Sequence, residues 1–165
     1  IHSVSKAVKN YFFIAELITI LPEDQKRGKV ITQDHVLKAM GQNYTEALII
    51  RTLPNPPSKR KQNYSGTHPP FLDRDTANFI RKKNILHLLI DIPSIDPESD
   101  GGSMLAHRAF WNIPSNPRKN ATITELIYIP SKIKDGAYLL NLMISGFEND
   151  AAPSRPMLYA LKEIK

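Results

Sequence analysis

Apolar runs of strand length recur along the chain, separated by segments with helical spacing or by polar, proline-rich turns. The first, YFFIAELITIL at 11–21, is dense in β-branched and aromatic residues and predicts a central strand. Its alternation puts Phe12, Ile14, Glu16, Ile18 and Ile20 on one face, so Glu16 is a carboxylate on a largely apolar side. An ion pair or a strand edge is the simpler account of it. EALIIRTL at 46–53 holds a continuous apolar run, Ala47 to Ile50, which predicts burial on both faces. LHLLIDI at 86–92, ATITELIYI at 121–129, AYLLNLMISGF at 137–147 and MLYALKEI at 157–164 predict the remaining strands. In ATITELIYI the alternation sets Glu125 on the same side as Ile123, Ile127 and Ile129. The expected core strands are therefore 12–20, 48–53, 86–92, 123–129, 139–144 and 157–161.

Three helices fill the spaces between. Thr32 is placed to cap TQDHVLKAM, which ends at Gly41, and His35 there is expected at the surface. Asp73 or Asp75 caps RDTANFIRKK, whose basic end complements the helix dipole. SMLAHRAFW is the third, with Met104 and Trp111 on the same face as His107. Pro22 to Lys29 reads as a charged turn, and PNPPSKRKQNYSGTHPP at 54–70 as a long basic loop of the kind that is functional or mobile. Strands alternate with helices over the first two thirds, and antiparallel-looking strands close the chain. The expectation is an α/β fold, a mixed β-sheet with flanking helices.

At 165 residues the chain is expected to form a single domain with a real core. Hydrophobic residues at 41% and charged residues at 23% are ordinary for a globular protein, so composition excludes little. The absence of Cys excludes more. Disulfides and thiolate chemistry are out, and any metal must use His, carboxylate, carbonyl or water. The formal charge of +6 raises a nucleic-acid partner. Its two cationic clusters, Lys59-Arg60-Lys61 and Arg81-Lys82-Lys83, are not interleaved with base-stacking aromatics, so no nucleic-acid partner is expected. The longest apolar run is broken by Glu16 and too short for a bilayer, so no membrane is expected and a cytoplasmic setting fits best.

Nucleotide and serine-hydrolase readings fail, since neither a G-x-G-x-x-G or P-loop motif nor a G-x-S-x-G elbow is present. Asp96 and Asp100 before the third helix are paired acids that could serve a metal, but capping or solvated charge is the expected role, and His68 is expected as a solvent-exposed loop histidine. Arg155, beside Glu148 and Asp150, is a candidate to clamp the FENDAAPSRP loop. Two residues remain hard to explain as ordinary structure. Glu125 lies among isoleucines, where an unpaired charge costs several kcal/mol, and His107 stands on a nearby helix. An imidazole and a carboxylate brought together are what a divalent metal recruits.

HLLIDIPSIDPESDGGSMLAHRAFW, ATITELIYIP and DGAYLLNLMISGFENDAAPSRPMLYAL together resemble the C-terminal half of the cyclase family, the metal-dependent hydrolases that include bacterial kynurenine formamidase. The resemblance extends upstream through EALIIRTL and NYSGTHPPFL, so it covers the chain from about Tyr11 onward. It implies a swivelling β/β/α-type domain, a homo-oligomer, and an arylformamidase-like attack of a metal-activated water on a small-molecule amide or formamide. It also implies that His107 and Glu125 are metal ligands, for Zn²⁺ or alternatively Mn²⁺. The family's main metal motif, H-x-G-T-H-x-D-x-x-x-H, is missing. Tyr64-Ser65-Gly66-Thr67-His68 shares only the letters G-T-H, with Tyr64 in place of the first His and Pro70 and Arg74 in place of the Asp and last His. The domain is thus expected to be incomplete on its N-terminal side, and no catalytic residue can be assigned. A catalytically inactive interaction module with the same fold is the alternative.

Overall fold

The computed structural model describes residues 3–161. Fourteen elements follow in order among them: α1 (Val4–Ala7), β1 (Phe12–Ile20), β2 (Glu23–Gln25), β3 (Gly28–Ile31), α2 (Gln33–Ala39), β4 (Ala47–Thr52), a 3₁₀ turn (Pro57–Lys61), β5 (Phe71–Leu72), α3 (Arg74–Lys82), β6 (His87–Ile90), α4 (Leu105–Trp111), β7 (Thr122–Thr124), β8 (Gly136–Asn141) and β9 (Met157–Ala160).

Six strands form one mixed sheet in the order β7-β6-β4-β1-β8-β9. The four on one side run parallel, and β8 turns the sheet antiparallel by pairing with β1, with Ala15 opposite Tyr138. The α/β expectation therefore holds. β4 is buried at all six positions, Ala47 to Ile50 by their apolar run on both faces and Arg51 and Thr52 within polar networks. Leu48 and Ile50 face the helices with Ile18, Ile20, Leu88 and Ile90, and pack on Val36 of α2, Ile80 of α3 and Phe110 of α4. Ala47 and Ile49 face the other way, with Phe13, Leu17, Leu89, Leu140 and Leu142.

Both proposed caps exist. Asp73 begins α3, its carboxylate accepting the Thr76 N–H at 2.7 Å, and Thr32 precedes α2, where its N–H donates to His35 Nδ1 at 3.1 Å. The segment read as a charged turn is instead the hairpin β2–β3, which joins β5 in a second, three-stranded sheet. The strand expected at 123–129 is shorter than its alternation suggested. β7 ends at Thr124, and Leu126 adopts a left-handed φ of 57°. The Leu126 and Ile127 N–H groups then rejoin Ile92 and Ile90 carbonyls. This local bulge breaks the period: Ile123 packs with the helix-side cluster, and Ile127 and Ile129 with the opposite one. β9 also departs from expectation. It is an edge strand with Met157 and Tyr159 exposed rather than a core strand, and the end of the predicted run, 162–164, lies outside the described residues.

Two buried polar networks sit at the carboxyl ends of the parallel strands. Lys59, on the 3₁₀ turn of the long basic loop, donates to Asp91 at 2.8 Å, and Asp91 also accepts from the Thr52 N–H and hydroxyl. Arg51 donates to Thr19 Oγ1, to the Pro130 and Ile133 carbonyls and to Asp135. Glu16 has neither the expected cation nor a place at the sheet edge: β1 is central, one carboxylate oxygen accepts the Gly41 N–H at 2.6 Å, and Oε2 is buried with no hydrogen-bond partner among the described residues.

Candidate active site

The site lies where α4 meets the sheet beside β7. His107 is in the first turns of α4, with its ring centroid 5.3 Å from that of Trp111, whose indole N–H is fixed on the Ala121 carbonyl at 3.0 Å. The shared face expected of these two residues is present. Glu125 sits in the bulge after β7, where Oε1 accepts the Ile95 N–H at 3.0 Å. The structure brings His107 and Glu125 together, with Nε2 and Oε1 3.5 Å apart, and both line one cavity of about 1380 Å³.

Asp96 completes the arrangement, and sequence reasoning missed its part. Its carboxylate accepts the Ala106 N–H at 2.7 Å and the His107 N–H at 3.1 Å, which is the capping role expected of it. It also lies 2.6 Å from His107 Nδ1. No period relates a loop acid to a helix residue eleven positions on, so only the fold reveals that contact. Asp100 does cap, accepting the Met104 and Gly102 N–H groups, and these bonds hold its carboxyl below the ordinary range. Burial pushes the Glu125 carboxyl above its ordinary value, with Asp96 adding to the effect while His107 and the Ile95 bond oppose it.

The cavity walls are mainly apolar. Trp111, Ile123, Ile127, Tyr138, Leu140 and Leu158 supply them, with Arg118 and Arg155 also on the lining. Arg155 makes no ion pair among the described residues. Neither Glu148 nor Asp150 pairs with it among the described residues, and Glu148 lies 3.2 Å from Lys6 instead, so the expected clamp is not formed. His68 is exposed, as expected, and its backbone N–H donates to Glu98.

A family model described as "Putative cyclase" matches residues 2–97, more than half of the chain. The chain belongs to the cyclase family. The match reaches nearer the start of the chain than the resemblance did and stops short of His107 and Glu125; the fold extends the likeness over the rest. No curated protein sequence matches this cyclase. Among solved structures, a "potential metal-dependent hydrolase with cyclase activity" is similar at 16% identity and a TM-score of 0.66, over 95% of this chain and 75% of that one. A "predicted metal-dependent hydrolase" from Bacillus stearothermophilus is similar at 16% identity and a TM-score of 0.65, over 95% and 73%. An isatin hydrolase bound to the product analogue thioisatinate follows at 16% and 0.63, over 90% and 61%. At this identity the three establish a common fold.

Such a fold raises the question of a metal, and the donor set answers it in part. Two ligands of a tetrahedral ion, each about 2.0–2.2 Å from it, lie roughly 3.4 Å apart. His107 Nε2 and Glu125 Oε1, at 3.5 Å, match that separation. The other imidazole nitrogen meets a carboxylate, the usual outer support of a metal-binding histidine. No group of three His, Cys, Asp or Glu is placed to hold an ion among the described residues. The separation of the pair fits two corners of a metal site, and among the described residues no third such donor stands beside it.

Proposed function

We propose that this cyclase is an arylformamidase-like metal-dependent hydrolase of small-molecule amides or formamides. His107 and Glu125 are two of its metal ligands, for Zn²⁺ or alternatively Mn²⁺. The observation that carries the reading is the 3.5 Å approach of the two side chains at the wall of a large, mostly apolar cavity. When bound, the ion supplies Lewis-acid activation of water and of the scissile carbonyl. The chain's own residues do the rest. Trp111, Ile123, Ile127 and Tyr138 form the walls against which an aromatic acyl-amide packs and from which bulk water is displaced. A small-molecule substrate, a homo-oligomer and a cytoplasmic setting belong to the same proposal. Phe12 of β1 and Met157 and Tyr159 of β9, exposed on the helix-side face of the sheet, give the oligomer an apolar surface. No helix among the described residues is long and apolar enough to cross a membrane.

The test is hydrolysis of an aryl formamide with and without Zn²⁺ or Mn²⁺, together with metal binding by calorimetry, for the wild type and Glu125→Gln. In the natural protein, metal-dependent turnover lost in a Glu125→Gln variant with an unchanged circular dichroism spectrum is expected, whereas the 165-residue chain alone, with two ligands, is expected to retain metal weakly or not at all. Binding or turnover insensitive to that change removes the reading. The second reading is an interaction module that keeps the fold without catalysis, favoured by the absence of a third ligand among the described residues. It predicts neither metal binding nor hydrolysis in the natural protein.

A further inference from the structure

Asp96 is 6% exposed, and its two oxygens face three nitrogen atoms. One oxygen takes the Ala106 N–H. The other takes the His107 N–H and lies 2.6 Å from Nδ1 of the same residue. An ionised carboxylate only accepts, so a contact this short puts a proton on Nδ1. In a neutral imidazole the lone pair is then on Nε2, the nitrogen facing Glu125. The residue immediately before Asp96 holds the other half of the pair, since the Ile95 N–H donates to Glu125 Oε1.

We infer that the Ile95–Asp96 peptide is the positioning device of this site, with Asp96 the residue that locks the tautomer and orientation of His107. The inference rests on reading His107 and Glu125 as a ligand pair. Helix capping alone does not account for the contacts. The cap needs only the two backbone bonds, whereas the Nδ1 contact adds nothing to the helix and determines which ring nitrogen is open to the cavity. Met104, at the N-cap position, is left-handed and makes no side-chain cap, and the same Asp96 carboxylate that accepts the Ala106 and His107 N–H groups also meets the ring. Asn cannot reproduce this. Its single oxygen serves one side of the carboxylate's place, and its amide then faces an N–H donor on the other. With the amide toward the ring, Nδ1 becomes the acceptor and the proton moves to Nε2.

Long-range ¹H–¹⁵N spectra of the histidine rings, at a pH where His107 is neutral, test this in the 165-residue chain. The wild type should show His107 protonated at Nδ1 and bare at Nε2. Asp96→Asn should shift the population toward the Nε2–H form with the far-ultraviolet circular dichroism unchanged. It should also move the midpoint of Mn²⁺-induced broadening of the His107 signals roughly 10–100-fold higher. Asp100→Asn, which loses only cap bonds, should leave the tautomer as it was. A wild-type ring protonated at Nε2 overturns the inference without any variant having to fold. An unchanged tautomer and Mn²⁺ midpoint in Asp96→Asn, or a tautomer change in Asp100→Asn, overturns it equally. Two donors hold Mn²⁺ weakly at best, so absence of Mn²⁺ broadening at His107 in the wild type leaves the ring tautomer, in the wild type and in Asp96→Asn, to decide the role of Asp96.

Discussion

The Lys59 ammonium donates to Asp91 from inside the protein, with side-chain exposures of 8% and 0%. The pair is hydrogen-bonded on both sides, so its desolvation is compensated only while both partners remain. Lys59→Met should leave the carboxylate buried without a cation and cost about 3–5 kcal/mol. A urea-denaturation midpoint lowered by less than 1 kcal/mol-equivalent, at constant slope, would show that Asp91 does not depend on Lys59.

His87 is held below its ordinary value, at about 4, first by burial and then by the nearby Arg118 charge. It contacts Thr122 through Nδ1 at 2.9 Å and packs on Phe13 with ring centroids 4.0 Å apart. The folded state therefore keeps it neutral where the unfolded chain, at about 6.5, takes up a proton. The unfolded state binds more protons between these values, so this term lowers stability as pH falls from about 6.5 to 4, by about 3 kcal/mol in all. Stability measured across that window should slope much less in His87→Gln, and equal slopes for the two proteins would contradict the neutral assignment.

Leu126 carries a left-handed backbone while 61% exposed, so conformation and not packing dominates its energetics. Asn tolerates this region and a β-branched residue does not. Leu126→Asn should be neutral or stabilising by up to about 1 kcal/mol, and Leu126→Val should destabilise by about 1–2 kcal/mol. Thermal melts of the two variants moving in the same direction would contradict the bulge.

Arg51 binds a hydroxyl, a carboxylate and two carbonyls with one planar group. A lysine ammonium keeps the charge but not the fork. Arg51→Lys should lower stability by about 2 kcal/mol, through charge-assisted bonds lost rather than charge removed. A chemical-denaturation curve that overlays the wild type would place the network's contribution in charge alone.

What was legible followed from periodic patterns. β1 and β4, and α3 with its Asp73 cap, declare themselves through alternation, an unbroken apolar run and a local capping signal. The approach of Glu125 to His107 was also legible, because a carboxylate in an apolar strand demands a partner and a histidine stood within a short connection. The failures share a cause. Leu126 is left-handed because Ile92 and Ile90 capture successive N–H groups from another strand, and a leucine gives no local sign of that. Lys59 looked like one member of a cationic cluster in a long basic loop because its burial depends on Asp91, far along the chain. Asp96 looked like a cap, and was one, while its second partner was visible only in three dimensions.

The antiparallel closure of β8 on β1 bears on how the chain folds as it is made. β1, β4, β6 and β7 pair in parallel and are joined through helices, so that half of the sheet can consolidate as soon as β7 has been synthesised. β8 pairs with the first strand from far downstream, and Leu140 covers Phe13 only when it arrives. Until then the face carrying Phe13, Leu17 and Ile49 stands open, beside a strand edge with unpaired backbone groups. Such long-range pairing is slow, and it is in that interval that nascent chains aggregate or engage chaperones. Chains halted between β7 and β8 should therefore bind holdase chaperones, and completion of β8 should release them.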